Sequence, residues 1–459
     1  MLSVIKLAAL YVSCAVSVVR CQQTWAQVLR GHTIDPFVQD DKSVPAAVLV
    51  AEDTLDVIAA VNVAREYNLT IAVYGGGHWP INARSADNGL TVDMSQMRGV
   101  IVDPVQQTAV VQGGALGGDV LHAAEPWGLG LPWGDANVTG MGLALGGGIG
   151  LSMRQHGLTC DSILAAQIVI ANGSLIEISS TVNPELLAGL RGAGTVFGVV
   201  TEITFQLFDG TADVYAGNLI LPDDANFTTL QCLLEFTSEA LAEYPGLGIE
   251  VFSMPSQAWI TVNFHGPEKM EEKVAVFAPL RQMDPISDLL APGASNFYAV
   301  NDYIAVTSFQ APAKAFVLSG LMSEEQFNSG GLEALLEANG VAMAPSGAVL
   351  LTDWFGGAVE NTTSYTPFNG AYLHYFWSFP DPDTAVLLAK AAELQNMMAD
   401  HTTSFYPYDN LATDPNPEDN LASKVGGEEN LEQLQYLKGL LDPQNLFRNH
   451  QLRGLTPDF

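Results

Sequence analysis

A run of three glycines that ends in a histidine constrains this chain more than any other stretch of it. Gly75-Gly76-Gly77-His78 follows a β-branched run, Leu69 to Val73, that predicts a buried strand. Glycine lets the backbone take positive φ and lets another molecule come close, and successive free N–H groups on such a turn attract anions. The stretch predicts either a turn that holds an anionic group beside a reactive histidine or an ordinary tight turn, and these residues alone leave both open.

The chain before this turn predicts a β-α-β unit. Ala46 to Val50 has the pattern of a strand, and Thr54 to Tyr67 has apolar residues at helical spacing after an N-cap at Asp53 or Thr54. The strand Leu69 to Val73 follows at once. Such a unit delivers the glycine turn to the carboxyl end of a strand, which is where α/β folds place their ligands.

A second glycine-rich region spans Gly134 to Gly150. Apolar residues interleave with its glycines, which favours a buried position over a flexible surface loop, and a packed nucleotide tail requires backbone without side chains. No Gly-Lys-Ser/Thr follows, so the region is not a phosphate-binding P-loop. The first turn also lacks the Gly-x-Gly-x-x-Gly fingerprint, because Pro80 stands where the third glycine would be.

The rest of the chain predicts more strands and then a change of character. The Asn172-Gly173 pair predicts a hairpin, and from about residue 209 glycine clusters thin out, which indicates an α+β domain with an antiparallel sheet. The strands predicted in this later part are Ala216 to Leu221, Gly248 to Met254, Ala258 to Phe264 and Ala371 to Phe379. The predicted helices are Thr229 to Glu243, Glu268 to Arg281, Glu324 to Ala338, Asp383 to Asp400 and Glu428 to Leu440.

The charge balance restricts the partners. The chain has 18 basic and 50 acidic residues, a net charge of −32, so long-range repulsion opposes nucleic acid and anionic membranes. No CxxC motif or His/Cys cluster occurs, which argues against a structural metal site. A small molecule is the partner that this composition favours.

The amino terminus predicts a signal peptide over residues 1–21. Lys6 precedes an apolar run, Leu7 to Val19, that is too short to span a bilayer comfortably, and a membrane anchor is the alternative. Asn-x-Ser/Thr sequons fit a secreted, extracellular protein that leaves no membrane segment after processing, and they lie at Asn68, Asn137, Asn172, Asn226 and Asn361. In a mature chain Cys160 and Cys232 would be left, and they could form one disulfide.

Four blocks in this order resemble the berberine bridge enzyme-like flavin oxidases, which have the vanillyl-alcohol-oxidase (PCMH) type of FAD-binding fold. The blocks are Tyr74 to His78, Gly134 to Asp161, Arg191 to Thr201 and Asp442 to Phe447. The resemblance implies an α+β protein with a two-part FAD-binding domain over residues 22–208. It also implies a substrate-binding domain over 209–400, with a large antiparallel sheet backed by helices, and a C-terminal segment over 401–459 that returns to the FAD domain.

The resemblance also assigns the cofactor contacts. In the family the histidine is bonded to the flavin, which implies FAD held covalently through His78, and the position of a second, cysteinyl link is Ala136, which implies a single link. Tyr74 stands where arginine is common. The remaining residues implied to bind the cofactor are Gly75, Gly76, Gly77, Thr139, Gly140, Gly150 and, through its backbone near the adenine, Val200.

The implied chemistry is hydride transfer from a small, largely apolar alcohol or biosynthetic intermediate, followed by reoxidation with dioxygen to hydrogen peroxide. Two residues are candidate catalytic bases: His374, on the predicted strand at Tyr372 to Trp377, and Tyr408 in the tail. Trp79 and Trp133 are candidate pocket walls. Two alternatives stay open. One is a carbohydrate oxidase, which a lack of obvious sugar-binding carboxylates disfavours. The other is a flavin-retaining scaffold that catalyses a non-redox cyclisation or merely binds a ligand.

Overall fold

The computed structural model describes most of the chain from residue 45 onward. The described residues are 45–78, 88–134, 136–211, 213–294, 316–343, 348–354, 365, 372–378, 393–394, 396–401, 421–448, 452 and 455–457. Trp79, Tyr408 and Asn361 lie outside them.

The glycine turn lies at the end of a small parallel sheet. Strands β1 (Ala47–Val50), β2 (Ile71–Tyr74) and β3 (Leu90–Asp93) pair in parallel in the order β1-β3-β2. Helix α1 (Thr54–Tyr67) connects β1 to β2; it begins where the Asp53 carboxylate accepts the N–H groups of the first turn and ends at a left-handed Asn68. This confirms the predicted β-α-β unit, with β3 inserted between its two strands.

A second, antiparallel sheet packs beside the first and belongs to the same N-terminal part, residues 45–211. Its strands, in the order β4-β5-β9-β7-β8, are β4 (Val100–Asp103), β5 (Thr108–Gln112), β7 (Ile163–Ile170), β8 (Leu175–Ser179) and β9 (Gly198–Gln206). Gly173, at φ +84°, forms the predicted hairpin turn between β7 and β8. Around this sheet lie the short pair β6 (Leu129–Gly130) and β10 (Phe208–Asp209) and the helices α2 (Gly117–Ala124), α3 (Gly142–Leu145), α4 (Met153–His156) and α5 (Pro184–Ala193).

The later part of the chain builds a large antiparallel sheet. Its strands are β11 (Val214–Pro222), β12 (Leu247–Met254), β13 (Gln257–Phe264), β14 (Ser287–Asp288), β15 (Ala291–Ala294), β16 (Phe316–Met322), β17 (Ala348–Trp354) and β18 (Tyr372–Ser378). They pair in the order β14-β11-β13-β12-β17-β18-β16, and β15 also pairs with β11. The helices are α6 (Thr228–Glu243), α7 (Met270–Val276), α8 (Ala278–Arg281), α9 (Glu324–Gln326) and α10 (Leu332–Met343). The α+β architecture is confirmed, and β16 and β17 are strands that the sequence patterns missed.

The two faces of this sheet differ. One face, called here the helix face, carries buried apolar side chains such as Leu219, Val251 and Ile260, which share a core with α6 and α10. The other, called the inner face, packs on the N-terminal part. Phe252 joins the main N-terminal core, and Leu151 contacts Val214 and Ala216.

The described part of the tail, α11 (Leu421–Lys424), α12 (Glu428–Leu441) and the turn after it, packs on the N-terminal part. Lys438 Nζ is fully buried and donates to Asp442 Oδ2 at 2.7 Å, Val196 O at 2.8 Å and Phe447 O at 3.2 Å. Leu446 O in turn accepts the N–H of Ile71 at 2.9 Å. The tail therefore holds the first residue of β2, the strand that leads into the glycine turn.

Two findings concern the remaining predictions for the whole chain. The sequence left open whether Cys160 and Cys232 form a disulfide, and they do not: Cys160 is buried in the N-terminal core and Cys232 is exposed on α6. Among the described helices, none combines the length and the apolar character that crossing a bilayer requires.

Candidate functional site

The two glycine-rich regions meet backbone to backbone. A Cβ placed on Gly76 would lie 2.5 Å from Gly140 N and 2.7 Å from Val138 O, and one on Gly140 would lie 2.5 Å from Gly76 N. A Cβ on Gly75, by contrast, would have no atom of the described residues within 4 Å. The turn is therefore backed by the second region and open at Gly75, and it can present backbone N–H groups to a ligand.

His78 follows this turn directly. Gly77 takes φ +70°, a left-handed conformation that favours glycine, and His78 is half-buried with its Nε2 atom buried. Tyr74, where β2 ends, is tied to the neighbouring strand because its carbonyl accepts the N–H of Met94 at 2.9 Å. The imidazole thus stands at the carboxyl end of a parallel sheet, at the margin of the open turn.

The second region is a loop whose ends close on each other. A Cβ on Gly150 would collide with the carbonyl of Trp133 and lie 3.2 Å from Gly134 Cα. Gly147 and Gly148 take φ +122° and +87°. We call this loop, Gly134–Gly150, together with Gly75–His78 the glycine cradle.

Thr139 organises the cradle from within. Its hydroxyl accepts a hydrogen bond from Trp133 Nε1 and donates one to Ala136 O, each at 2.8 Å. Because its one hydroxyl proton is committed to Ala136, the side chain has none left to donate to an anionic ligand. The hydroxyl of Thr139 therefore shapes the loop, and its predicted contact with the cofactor stays a prediction. Trp133, only 1% exposed, lies in the hydrophobic core.

Val200 lies on β9 in the N-terminal core, 6% exposed. Its carbonyl faces Gly113, where a Cβ would collide with it. The structure thus shows a close backbone approach at Val200, and its predicted contact with an adenine stays a prediction.

The inner face of the large sheet carries a row of four buried polar residues. Asn218, Thr261, Glu250 and Asp353 are direct cross-strand partners on β11, β13, β12 and β17. Their exposures are 5%, 0%, 1% and 1%. Directly opposed residues share a sheet face, so this set, called the polar row, points toward the N-terminal part.

The polar row lies next to the glycine cradle. One step along the strands on the same face, Ala216, Asn263 and Gly248 form the neighbouring row. A Cβ on Gly248 would collide with the carbonyl of Leu151, the residue after Gly150. Glu250 is thus two residues beyond the point where the sheet touches the cradle, and its side chain lies on the same face.

A histidine pair joins the same two regions. His156, at the end of α4, stacks on Phe208 with ring centroids 3.7 Å apart and lies 5.9 Å from His265, which follows β13. Gln155 links the elements, because its Oε1 lies 3.0 Å from His265 Nδ1. Burial, with a smaller contribution from His265, lowers the pKa of His156 to about 4, and burial and then Lys273 lower the pKa of His265.

The two predicted catalytic bases are not tested by this geometry. The backbone register places His374 opposite Thr352 and Gly320, in line with Val251 of the helix face, and Tyr408 lies outside the described residues. The sequence patterns missed the polar row itself. Its signal was present: Asn218, Glu250, Thr261 and Asp353 interrupt otherwise apolar strands at inward positions.

The residues of the cradle fit a flavin dinucleotide. Bare backbone at Gly75 leaves room for a diphosphate, and the glycines at 76 and 140 let the two glycine-rich regions close behind it. No cluster of three or more His, Cys, Asp or Glu side chains suited to a metal ion occurs within the described ranges.

Comparison with known proteins agrees with this fit. The profile of the FAD binding domain family matches residues 45–179. A FAD-linked oxidoreductase of Dictyostelium discoideum is 28% identical over 90% of this chain and 89% of its own length. The crystal structure of 6-hydroxy-D-nicotine oxidase from Arthrobacter nicotinovorans superposes with a TM-score of 0.79 at 26% identity, over 92% of this chain and 94% of that one.

The BBE-like 1 protein of Physcomitrella patens shares the fold, with a TM-score of 0.79 at 22% identity over 92% of this chain and 94% of its own. The cradle, the α+β architecture and these likenesses lead to one identification. This chain is an FAD-dependent oxidoreductase with an FAD-binding domain over residues 45–179, and it is similar in fold to the berberine bridge enzyme-like proteins.

Proposed function

We propose that this protein is an oxidase that oxidises the CH–OH group of a small, hydroxyl-bearing alcohol, with dioxygen as the final electron acceptor and hydrogen peroxide as the product. The observation that carries the proposal is the polar row, because it places two buried carboxylates, Glu250 and Asp353, on neighbouring strands beside the glycine cradle. When bound, FAD supplies the hydride acceptor and the route to dioxygen.

The chain's own residues hold the reactants and move the proton. A carboxylate accepts the hydroxyl proton that must leave as the alcohol carbon is oxidised, and Glu250 and Asp353 offer two directly opposed acceptors for it. Asn218 and Thr261 continue the row and orient hydroxyl groups of the substrate. Burial of the whole row excludes water from the reacting atoms.

The polar row changes the expected substrate. The reason for disfavouring carbohydrates, a lack of suitable carboxylates, does not hold for this face, because Glu250 and Asp353 both lie on it. A carbohydrate oxidase is therefore a candidate within the same proposal. The non-redox scaffold is supported less, because the relatives that match most of this chain include a FAD-linked oxidoreductase and an oxidase.

His78 is the proposed attachment point of the flavin, by a single covalent bond. Its position at the end of the open turn and its buried Nε2 support this role, and Ala136 offers no thiol for a second bond. Gly75, Gly76, Gly77, Gly140 and Gly150 would hold the dinucleotide through their backbone.

Secretion through the N-terminal signal is part of the proposal. Asn68, Asn172 and Asn226 are exposed, as glycosylated sequons must be. Asn137 is half-buried in the cradle, with its carbonyl bound to Gly118 N, and should carry no glycan.

The first test is of the cofactor and its reduction. Acid precipitation of the purified protein should leave a yellow pellet, and the His78→Ala variant should release its colour into the supernatant. Under nitrogen, a panel of alcohols and sugars should include compounds that bleach the flavin, and air should restore its absorbance with release of hydrogen peroxide. Flavin that no compound in a broad panel bleaches would favour the non-redox scaffold.

A further inference from the structure

Strand β13 presents three buried polar atoms in a column on the inner face. Trp259, Thr261 and Asn263 occupy alternate positions and so point the same way. Trp259 Nε1, Thr261 Oγ1 and Asn263 Oδ1 are each buried without a hydrogen-bond partner in the part of the chain that the structure describes. Buried polar atoms of this kind nearly always have partners, so three in a row on one strand need a reason.

The position of the column supplies that reason. Asn263 lies between Ala216 and Gly248, where the sheet meets the cradle, and Thr261 lies between Asn218 and Glu250 in the polar row. Trp259 is further out and packs beside Phe252, with ring centroids 5.2 Å apart. The column therefore runs outward from the cofactor region past the carboxylates.

The chemistry of the column selects hydroxyl groups. The indole N–H of Trp259 only donates, Asn263 Oδ1 only accepts, and the Thr261 hydroxyl does both. Successive positions are about 6.8 Å apart along a strand. A ligand that satisfies all three must accept at one end and donate at the other, and a molecule with several hydroxyl groups does both.

We infer that Trp259, Thr261 and Asn263 determine specificity, staying unpartnered in the free protein so that hydroxyl groups of a polyhydroxylated substrate complete them. This inference rests on the proposed oxidase function. It also predicts that an apolar side chain of the same shape would stabilise the free protein and weaken substrate binding, because a buried polar atom without a hydrogen bond is destabilising.

The test compares two threonines of the same sheet. Thr261→Val removes the hydroxyl from the inner face. Thr352→Val removes a hydroxyl that is equally buried, 1% exposed and unpartnered among the described residues, but lies on the helix face. The flavin-loaded variants are compared by thermal unfolding and by calorimetric titration with cellobiose and D-glucose, and Trp259→Phe is titrated alongside.

Both valine variants should unfold at an unchanged or slightly higher temperature, by about 1–3 °C. Thr261→Val should weaken the binding of the sugars by about 3- to 10-fold, and Trp259→Phe by a similar factor, while Thr352→Val leaves it within twofold. Equal affinities for Thr261→Val and Thr352→Val, or no saturable sugar binding by the unmodified protein, would overturn the inference.

The outcomes separate this inference from the function beneath it. If benzyl alcohol bleaches the flavin and the sugars do not bind, the oxidase function is supported and the role of the column in substrate specificity is contradicted. If the sugars bind through Thr261 but never bleach the flavin, the role of the column in binding is supported and the oxidase function is contradicted.

Discussion

In the proposed function the glycine cradle and the polar row form two sides of one site, and they are built in opposite ways. The cradle is made of backbone, and its shape depends on side chains that are absent at Gly76 and Gly140. The polar row is made of side chains, and it exists only because four strands from distant parts of the sequence pair in one register. A substitution in the cradle should therefore disturb cofactor binding first, and one in the row should disturb chemistry first.

The sharpest test of the cradle is a pair of alanine substitutions at neighbouring glycines. Gly76→Ala places a Cβ 2.5 Å from Gly140 N, against backbone that cannot yield, whereas Gly75→Ala places one in open space. We expect Gly76→Ala to lose most of its flavin and Gly75→Ala to retain most of it, as measured by the ratio of flavin to protein absorbance after gel filtration. Equal flavin content in both variants would show that the two glycine regions do not depend on their contact.

The matching test of the polar row is Asp353→Asn, with Glu250→Gln beside it. Each keeps the size of the side chain and removes a proton acceptor, so the flavin should stay bound while the rate of its anaerobic reduction falls by about 10²- to 10⁴-fold for the residue that takes the proton. Thr352→Val, beside Asp353 on β17 but on the helix face, is the control and should reduce the rate little. If both carboxylate variants reduce the flavin at an unchanged rate, the residue that accepts the proton lies outside the polar row.

The same contrast explains what could be predicted from the sequence. Gly75–His78 and Gly134–Gly150 can be recognised from the local sequence. A cluster of glycines predicts an unusual backbone whatever packs against it. The β-α-β unit and the hairpin at Gly173 also have local signals. Glu250 and Asp353 have none beyond one charged residue in an apolar strand, because their meeting depends on strand order across the sheet. β17, in which Asp353 lies, was not predicted at all, and without it the row has no fourth member.

The buried pair Lys438–Asp442 tests whether the tail supports the cradle. Both side chains are 0% exposed, and burial lowers the pKa of Lys438 while Asp442 opposes that shift. Lys438→Met leaves Asp442 buried without its cation and should cost about 3–5 kcal/mol in the free energy of unfolding, measured with denaturant. The double variant Lys438→Met/Asp442→Leu removes the uncompensated charge. A larger cost for the double variant than for the single one would contradict this account.

The smallest predicted effect concerns the histidine pair that joins cradle and sheet. His156 has a folded pKa of about 4 against about 6.5 unfolded, so folding favours its neutral form. Its contribution to stability is present above pH 6.5 and is lost as the pH falls toward 4, by about 3 kcal/mol in all. The neighbouring His265 has its own pKa lowered by burial and then by Lys273, and Asp209 partly opposes that shift.

His156→Phe keeps the stacking on Phe208 and removes the titrating group. Its free energy of unfolding, measured by denaturant titration from pH 7.5 to 4.5, should fall less steeply with acid than that of the unmodified protein. His122→Phe is the control, because it replaces a histidine whose side chain is 72% exposed and lies away from this junction. His156 and His265 lie on opposite sides of the junction between the N-terminal part and the large sheet. If the free energy of unfolding depends less steeply on pH in His156→Phe alone, protonation acts where these two regions meet. If the dependence on pH is the same in all three proteins, the acid sensitivity lies elsewhere.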